Sequence, residues 1–354
     1  MTTTQVRETP SAARASVYMV MLLLACLAFL LELAIGAVGV PISQVVRILI
    51  GLGSDHQTWA DIVLSFRLPR ALNALASGAA LGVCGLILQT LFRNALADPF
   101  VLGIMHGARL GVAVLVVVTG IAGPAFAAQF GGVGTASMSV AAALGAIGVL
   151  LLMLALARRV STVTLLIVGL LIGYVCIGLI SALLHFVDEV QARAFTQWEG
   201  GSFDGITRDQ LFVLIPMVSG GIGLAFGLIK PLNALLLGEN YAATMGIGVA
   251  RTRLLAFACV GMLAGPVTAY CGPIPFLGLV AAHVSRGVLQ TSDHRLLLPG
   301  AVLVGASLGL ATDLVTHLPW SRHFLHLDAV IGMIGAPVAL WVILRQKNLR
   351  AVEV

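Results

Sequence analysis

Charged residues are scarce in this 354-residue chain: Asp, Glu, Lys and Arg together make up 10% of it, while hydrophobic residues make up 59%. Soluble domains carry roughly 25% charged residues. A soluble fold cannot bury so much apolar surface, so most of this chain must be solvated by lipid. The net charge is only +5. In a membrane protein such an excess sets orientation, and we expect no nucleic-acid partner.

Several chemical motifs are absent. The five cysteines, at positions 26, 84, 176, 259 and 271, form no CxxC pair and no metal-binding spacing. Four lie in apolar runs, where cysteine behaves as a small hydrophobic residue. The chain has no GxxxxGK[ST] phosphate-binding loop, so ATP would have to be bound by a separate chain. Its apolar runs do not alternate with polar residues, which argues against the strands of a membrane barrel.

What the chain does have is a series of apolar runs near the length of about 20 residues that a helix needs to cross a bilayer. These runs are 17–35, 71–92, 99–118, 136–157, 163–185, 211–229, 254–270, 274–289, 296–316 and 328–344. The eighth is short. The predicted fold class is therefore all-α, a polytopic membrane protein with about ten transmembrane helices in one domain, 1–354.

The distribution of Lys and Arg predicts the orientation. With the N-terminus in the cytoplasm, thirteen of the basic residues fall in inner segments, six in outer segments and one, Arg109, within a span. This arrangement satisfies the positive-inside rule. An even number of spans then places both termini in the cytoplasm, together with the segment between spans six and seven.

That segment, residues 230–253, reads KPLNALLLGENYAATMGIGVARTR and interrupts the apolar pattern. Pro231 is expected to end span six, because proline cannot continue a helix. A short helix then ends at Gly238, and a second begins near Glu239 and ends before Gly246. Two short helices joined by glycine predict either an interfacial loop on the lipid headgroups or a docking element for a cytoplasmic subunit.

This segment resembles the cytoplasmic coupling helices of the FecCD-type ABC permeases, a family that imports iron complexes and cobalamin. The family pattern L-N-x-L-x-L-G-E-x-x-A-x-x-L-G is matched by LNALLLGENYAATMG. The resemblance continues in FRLPRALNALASGAALGVCGLILQTLFRNALADPFVLGI at 66–104, in WEGGS at 198–202 and in GPIPFLGLVAAHVSR at 272–286. With DHRLLLPGAVLVGASLGLATD and GMIGAP, it spans about 280 residues in the family's order.

The resemblance implies a type II ABC importer permease fold. Its first span is 17–35, spans two to six lie in 66–229, coupling helices in 230–253 and spans seven to ten in 254–344. It also implies a permease subunit of an ATP-driven importer that takes an iron complex, ferric siderophore or haem, from a binding protein. Cobalamin is the alternative cargo. The chain would be no enzyme and would bind no cofactor, since ATP and Mg belong to the partner ATPase.

The implied assembly lies in the inner membrane. It contains two permeases, as a homodimer or a heterodimer with a paralogue, two cytoplasmic ABC ATPases and a substrate-binding protein outside. Residues assigned to ATPase coupling are Leu232, Leu235, Leu236, Gly238, Glu239, Ala243, Met245 and Gly246. Residues assigned to binding-protein docking are Arg67, Arg70 and Arg322. Residues assigned to the translocation path or its gate are Gln89, Asn94, His106, Arg109, Trp198, Ser202 and His283.

Three of these arginines have a physical argument of their own. Arg67 and Arg70 lie on the outer side, against the charge bias, and an exposed guanidinium can pair with a carboxylate of a partner. The alternative is snorkelling to the headgroups. Arg109 falls near the membrane midplane, with His106 on the same helix face. A cation there must face protein or water, so it either lines a path for an anionic chelate or is paired inside the bundle, with Asp313 or a carbonyl.

Two regions depart from the family pattern. His317 stands where the family tends to have an arginine, and with His323 and His326 it predicts either a solvated loop or contact with metal or haem. His283 lacks the proline that usually precedes it, which leaves a structural role near the gate as the alternative. The glycine spacing of SGAALGVCG, in contrast, needs no ligand, because small residues allow helices to approach closely.

Two other function classes fit the sequence less well. An ion-coupled secondary transporter usually needs carboxylates or broken helices at the midplane. Apart from Asp328 at the very start of the last run, only Glu32 and Asp313 fall within spans, both near outer ends. An intramembrane enzyme needs a paired acid, a Ser/His arrangement or a metal site on facing spans, and the sequence shows no such constellation.

Overall fold

The protein is described by a computed structural model that covers residues 11–100, 102–129, 135–157, 159–318 and 325–351. Within these ranges the secondary structure is helical and contains no strand. The helices are α1 Ser11–Ala34, α2 Ile42–Leu49, α3 Gln57–Ile62, α4 Leu68–Leu91, α5 Ile104–Gln129, α6 Thr135–Ala157, α7 Thr162–Leu184, α8 Glu189–Glu199, α9 Arg208–Gly227, α10 Ile229–Leu236, α11 Glu239–Thr244, α12 Val249–Cys271, α13 Leu277–Leu289, α14 His294–Thr316 and α15 Leu327–Ala351. A π-helical turn, Val63–Arg67, joins α3 to α4.

Among the described residues, seven helical segments are long and apolar enough to cross a membrane, judged by length and composition. Three shorter apolar helices, Ile104–Gly120, Leu277–Leu289 and Leu327–Trp341, coincide with the predicted third, eighth and tenth spans. The all-helical, polytopic fold class is therefore confirmed. The grouping of the chain into one permease domain stays a prediction.

Helix α4 occupies the centre of the bundle. Twenty of its 24 residues are buried, which fits a helix that is apolar all round and carries small residues on several faces. It contacts α1, α9, α12, α13 and α14. Interior prolines such as Pro216 in α9 and Pro299 in α14 are accommodated, because neighbouring helices can compensate for lost backbone hydrogen bonds in a membrane.

The glycines predicted to allow close helix approach do so. A Cβ on Gly78 would overlap the backbone of Gly305 in α14, and a Cβ on Gly305 would overlap the backbone of Gly78. Gly82 meets the same helix one turn later, whereas Gly85 lies against the backbone of Gly278 in α13. In a membrane such packing replaces the hydrophobic force that water provides between helices.

Two features differ from the sequence prediction. Span six ends at Gly227, and Pro231 lies in the first turn of α10 rather than ending the span. A missing backbone N–H costs nothing in the first turn of a helix. The segment between the first two spans also contains α2 and α3, which are too short to give a clear apolar period in the sequence.

The two ends of the bundle differ. One end carries α10 and α11 together with the last residue of α4 and the first turn of α7, which border one groove. We call this the knob end. At the opposite end, the start of α4, the end of α1 and the residue that follows α14 come together around Arg70.

Candidate functional site

The two predicted short helices are present at the knob end. Gly238 separates them with φ +113°, a backbone conformation that L side chains rarely adopt. Its N–H donates to the carbonyl oxygen of Leu235 at 3.1 Å, which closes α10. Gly246 follows α11 with φ +80°. The glycines therefore fix the direction of both helices, as the sequence predicted.

The knob, which consists of α10 and α11, has a buried side and an exposed side. Leu232 and Leu235 face the core, so these two residues of the predicted coupling set cannot touch a partner directly. Leu236 and Gly238 are partly buried, while Ala243, Met245 and Gly246 are exposed. The largest exposed apolar side chains are Leu237 at 63%, Tyr241 at 54% and Met245 at 59%. Leu237 and Tyr241 were not among the predicted residues, because the motif does not tell which way each side chain points.

A groove of about 1100 Å³ runs beside this exposed side. Its lining residues are Leu91, Phe92, Arg93, Ser161, Val163, Leu237, Gly238, Glu239, Asn240, Tyr241 and Thr244. Glu239 belongs to the wall, and both of its carboxylate oxygens accept hydrogen bonds from Arg253, at 2.7 and 2.6 Å. That ion pair ties α11 to α12 and holds the knob in one orientation.

Three predicted gate residues meet near the knob end of α4. Gln89 accepts a hydrogen bond from Arg286 of α13, and His283 lies 2.8 Å from the carbonyl oxygen of Ala95. Asn94 accepts a bond from the backbone N–H of Leu96 at 3.0 Å, which shapes the loop after α4.

The same loop is fixed to α13 by a buried acid that the sequence analysis missed. Asp98 accepts hydrogen bonds from the N–H groups of Phe100 at 3.0 Å and Leu279 at 3.2 Å. Burial raises the pKa of Asp98 to about 6, although both N–H groups lower it. The end of α4, its loop and α13 are thus joined into one polar seam.

At the opposite end, Arg67 is buried rather than exposed. Its Nη1 donates to the carbonyl oxygens of Leu33 at 2.8 Å and Ala34 at 3.0 Å. Its Nη2 donates to the carbonyl oxygen of Val38. The expectation of an exposed guanidinium is wrong for this residue: it satisfies the carbonyl groups where α1 ends, which is a structural task.

Arg70 is also occupied, with only 12% of its side chain exposed. It contacts Glu32 of α1, Asp313 of α14 at 3.2 Å and Asp204 at 3.4 Å. Glu32 and Asp313 are buried, whereas Asp204 is half exposed. The guanidinium therefore neutralises acids from three separate parts of the chain.

His317 completes this cluster. Its Nε2 lies 2.7 Å from Asp204, and its Nδ1 lies 3.4 Å from the carboxylate of Asp313. Burial alone would lower the pKa of His317, but the hydrogen bonds and charges of the two acids raise it to about 10. The ring is therefore positively charged at neutral pH, the charge that the family's arginine would carry there.

A metal contact was one reading of the outer histidines. Within the described ranges, Glu32, Asp313 and His317 offer ligand atoms within 4.8 Å of one another, but Arg70 already contacts both acids. His326 lies against Gly200, at the end of α8. Arg322 and His323 lie outside the described residues.

Arg109 is paired with Glu199, the last residue of α8, instead of with Asp313 or a carbonyl as the sequence analysis suggested. His106 packs against the ring of Phe100 with a centroid distance of 4.4 Å, and its ring also faces Gly173 of α7. His106 is buried. The two residues therefore share a helix, as predicted, yet contact different neighbours.

The remaining path residues line two separate cavities. A cavity of about 330 Å³ is bordered by Arg109, Glu199 and His326. A second cavity, of about 340 Å³, is bordered by Trp198 and Ser202. Apart from His106, which is packed between helices, the predicted path residues consequently fall into three groups: the seam at the knob end and these two cavities at the opposite end.

Comparison with known proteins identifies the class. The profile of the FecCD transport family matches residues 22–345. The vitamin B12 import system permease protein BtuC of Klebsiella pneumoniae is 32% identical over 286 residues, 81% of this chain and 83% of that protein. The BtuC protein of Shigella sonnei is 34% identical over 283 residues, 80% of this chain and 83% of the relative.

A solved structure described as an inward-facing conformation of a metal-chelate type ABC transporter has the same fold. It superposes with a TM-score of 0.80 at 25% identity, covering 94% of this chain and 99% of the other. The fold and the matches together define a multi-span membrane permease. This chain belongs to the FecCD transport family.

Proposed function

We propose that this chain is the permease subunit of an ATP-driven ABC importer that moves a metal chelate across the inner membrane. The observation that carries the proposal is the knob: an apolar surface made by α10 and α11, held rigidly by Gly238 and by the Glu239–Arg253 pair. Exposed apolar patches beside a groove commonly mark contacts with another protein.

The partner we assign to the knob is a cytoplasmic ABC ATPase, one for each of two permease copies. Tyr241 and Met245 would supply the buried anchors of that contact, since aromatic and Met side chains are enriched in such interfaces. ATP and Mg would be bound by the partner, because this chain carries no phosphate-binding loop. Both termini and the knob would then face the cytoplasm.

The opposite end would receive the binding protein. Of the predicted docking residues, Arg70 reaches the surface through its contact with the half-exposed Asp204, whereas Arg67 is buried and would act only by shaping the site. His317 adds a second positive charge there. An acidic side chain of the partner would then have to replace Asp204 as the ligand of Arg70. Arg322 would complete the surface, as predicted from the sequence.

The path itself would run from the two cavities to the polar seam. Arg109, Trp198 and Ser202 would be met first, and the seam of Gln89, Asn94 and His283 would form the cytoplasmic gate. His106 would position the helix of Arg109 by packing against Gly173. ATP binding by the partners would draw the knobs together and alternate the access of the path between the two sides.

The proposed cargo is an iron complex, with vitamin B12 as the second candidate. The named relatives at 32–34% identity favour vitamin B12.

Reconstitution of the importer distinguishes an iron complex from vitamin B12 as the cargo. The permease, its ATPase and its binding protein in ATP-loaded proteoliposomes are expected to accumulate one chelate at least tenfold over vesicles loaded with a non-hydrolysable nucleotide. Radiolabelled cyanocobalamin and ferric hydroxamate or catecholate complexes are compared. Uptake of cyanocobalamin alone would overturn the iron proposal, and uptake driven by an ion gradient without ATP would overturn the importer itself.

A charge on the knob is expected to break the ATPase contact. Tyr241→Glu places a carboxylate in the centre of the apolar surface, and an interface anchor of this kind is worth about 2 kcal/mol or more, so affinity for the ATPase is expected to fall at least tenfold. Surface plasmon resonance on permease in nanodiscs measures this affinity. Leu52→Glu, an exposed apolar position after α2, is the matched control and is expected to bind normally. Equal binding by both variants would remove the knob from the interface.

A further inference from the structure

We propose that Asn233, His294 and Thr90 form a hydrogen-bonded connection, here called the buried relay, that ties α10 to the ends of α14 and α4. The proposal rests on the proposed function of the knob. It makes the three side chains positioning residues for transport: they touch neither cargo nor nucleotide, but a displacement of α10 is transmitted through them to the central helix of the bundle.

The relay begins with Asn233 on α10. Its Oδ1 accepts a hydrogen bond from the backbone N–H of His294 at 2.9 Å and lies 2.7 Å from the Nδ1 of the same residue. Its Nδ2 donates to Asp293 at 2.6 Å. Asp293 is the N-cap of α14 and also accepts from the N–H of Arg295 at 2.9 Å. One amide from the knob thus contacts both the N-cap and the first residue of a spanning helix.

His294 carries the connection inward. Its side chain is fully buried, and its Nε2 lies 2.9 Å from the hydroxyl of Thr90, near the end of α4. The oxygen of Asn233 is already fixed as an acceptor by the backbone N–H, so the Nδ1 of His294 must carry the hydrogen that it donates. A neutral ring then offers only the lone pair of Nε2, so the hydroxyl hydrogen of Thr90 is shared between this nitrogen and the carbonyl oxygen of Leu86 in its own helix, each 2.9 Å from the hydroxyl oxygen.

These bonds differ in kind from the apolar contacts beside them. Leu232 and Leu235 also join α10 to the core, but the burial of apolar groups is non-directional. A hydrogen bond between buried groups requires one geometry, because breaking it leaves an unsatisfied polar atom away from water. Movement of α10 must therefore move the starts and ends of its two neighbours together.

The relay also reaches further than α4. Thr90 is the neighbour of Gln89, which accepts a hydrogen bond from Arg286 of α13. The end of α4 is thus held between the relay on one side and the polar seam on the other. A displacement of the knob would be delivered at the position where we place the cytoplasmic gate, without any contact between the ATPase and the gate itself.

The test uses the assembled importer in proteoliposomes and measures chelate imported per ATP hydrolysed. Thr90→Val keeps the shape of the side chain but removes the hydroxyl, and His294→Gln retains a polar group near Nε2 while losing the bond to Asn233. Each is expected to lower the ratio at least threefold, while ATPase affinity, measured separately, stays within twofold of wild type. A purely structural loss would reduce import and hydrolysis together and leave the ratio unchanged.

Thr268→Val is the matched control. Thr268 is fully buried like Thr90, but the hydroxyl bonds only to the carbonyl oxygen of Ala264 in its own helix, so the ratio is expected to be normal. Thr90→Ser, which restores the hydroxyl, is expected to recover most of the ratio. The double variant Thr90→Val with Asn233→Ala is expected to be no worse than the poorer single variant, since either one breaks the same chain of bonds.

The outcomes separate the relay from the function on which it rests. A wild-type complex without ATP-driven import of cyanocobalamin or any ferric complex would overturn the proposed function, and the relay with it. A wild-type complex that imports normally, with Thr90→Val and His294→Gln importing as much per ATP, would overturn the relay alone. If His294→Gln does not fold, Thr90→Val, which is nearly isosteric, decides the matter together with the double variant.

Discussion

A Gly305→Leu variant is expected to give almost no folded protein, and Gly305→Ala a folded protein that unfolds at a clearly lower temperature. Any Cβ at this position overlaps the carbonyl group of Gly78 across the crossing of α4 and α14. Both partners are helix backbone, so no flexible side chain can move aside. Small overpacking of a core costs typically about 1–3 kcal/mol, and leucine adds far more volume than alanine.

The effect is large because of where the crossing lies. Helix α4 is the most buried element, and its close approach to α14 is repeated at Gly82 and Gly309, one turn to either side. Separating the backbones at Gly305 would weaken all of these contacts at once. Since lipid gives no hydrophobic drive to bring two apolar helices back together, little compensates for the lost van der Waals contact.

Gly223→Ala in α9 is the control, because no atom lies within 4 Å of a Cβ built there. Alanine favours a helix over glycine by about 1 kcal/mol, so this variant is expected to match or slightly exceed the wild type. The measurement is the fraction that remains monodisperse by fluorescence-detected size exclusion after heating in detergent. If Gly305→Ala and Gly223→Ala unfold at the same temperature, the close crossing is contradicted.

Much of this architecture follows from the sequence because its causes are local. A run of about twenty apolar residues is enough to predict a span. The short helices of the knob were predicted from Gly238 and Gly246, and the close crossings from the spacing of Gly78 and Gly82. In each case the residue itself restricts the backbone or its nearest approach, so no knowledge of distant partners is needed.

The polar contacts were not predictable in the same way, because their causes lie far along the chain. Arg109 pairs with a glutamate 90 positions later, and Arg70 contacts an aspartate 134 positions later. From its position in the sequence alone, Arg109 was predicted to be a cation at the membrane midplane and Arg70 an exposed docking residue. Which loop returns to which helix decides the partner instead, and that depends on the packing of the whole bundle.

The sequence also did not predict which side chains of the knob are exposed. A motif identifies Leu232, Leu235 and Met245 together, but only the last of them is exposed. The orientation of a short helix is set by how its first turn leaves the preceding span, here at Leu228, which ends α9 and precedes α10. The surface residues Leu237 and Tyr241 could have been found from the sequence only by fixing that direction.

The second large effect is expected at Arg70. Arg70→Met is expected to reduce the yield of folded protein severely, because buried Glu32 would lose its positive partner and buried Asp313 would keep only His317, 3.4 Å away. Removing one member of a buried ion pair costs about 3–5 kcal/mol, most of it from the charge that is left behind. The same heating and size-exclusion measurement reports the loss.

A compensating variant distinguishes this cause from lost packing. Arg70→Met combined with Glu32→Gln and Asp313→Asn leaves no uncompensated buried charge, so most of the folded yield is expected to return. Replacing all members of a buried ionic group by neutral residues of similar size is often neutral or stabilising. If the triple variant folds no better than Arg70→Met alone, the contribution of Arg70 is packing and the charge argument fails.

Arg193→Met supplies the comparison with a surface pair. Arg193 bonds Glu189 at 2.6 Å, and both side chains are largely exposed, so its removal is expected to leave stability nearly unchanged. Equal stability of Arg193→Met and Arg70→Met would show that Glu32 and Asp313 do not depend on Arg70. The triple variant then also separates the two roles of Arg70. If the protein is stable but no longer captures the binding protein, docking is assigned to the guanidinium. If it is stable and captures the binding protein normally, Arg70 serves only to hold α1, α4 and α14 together.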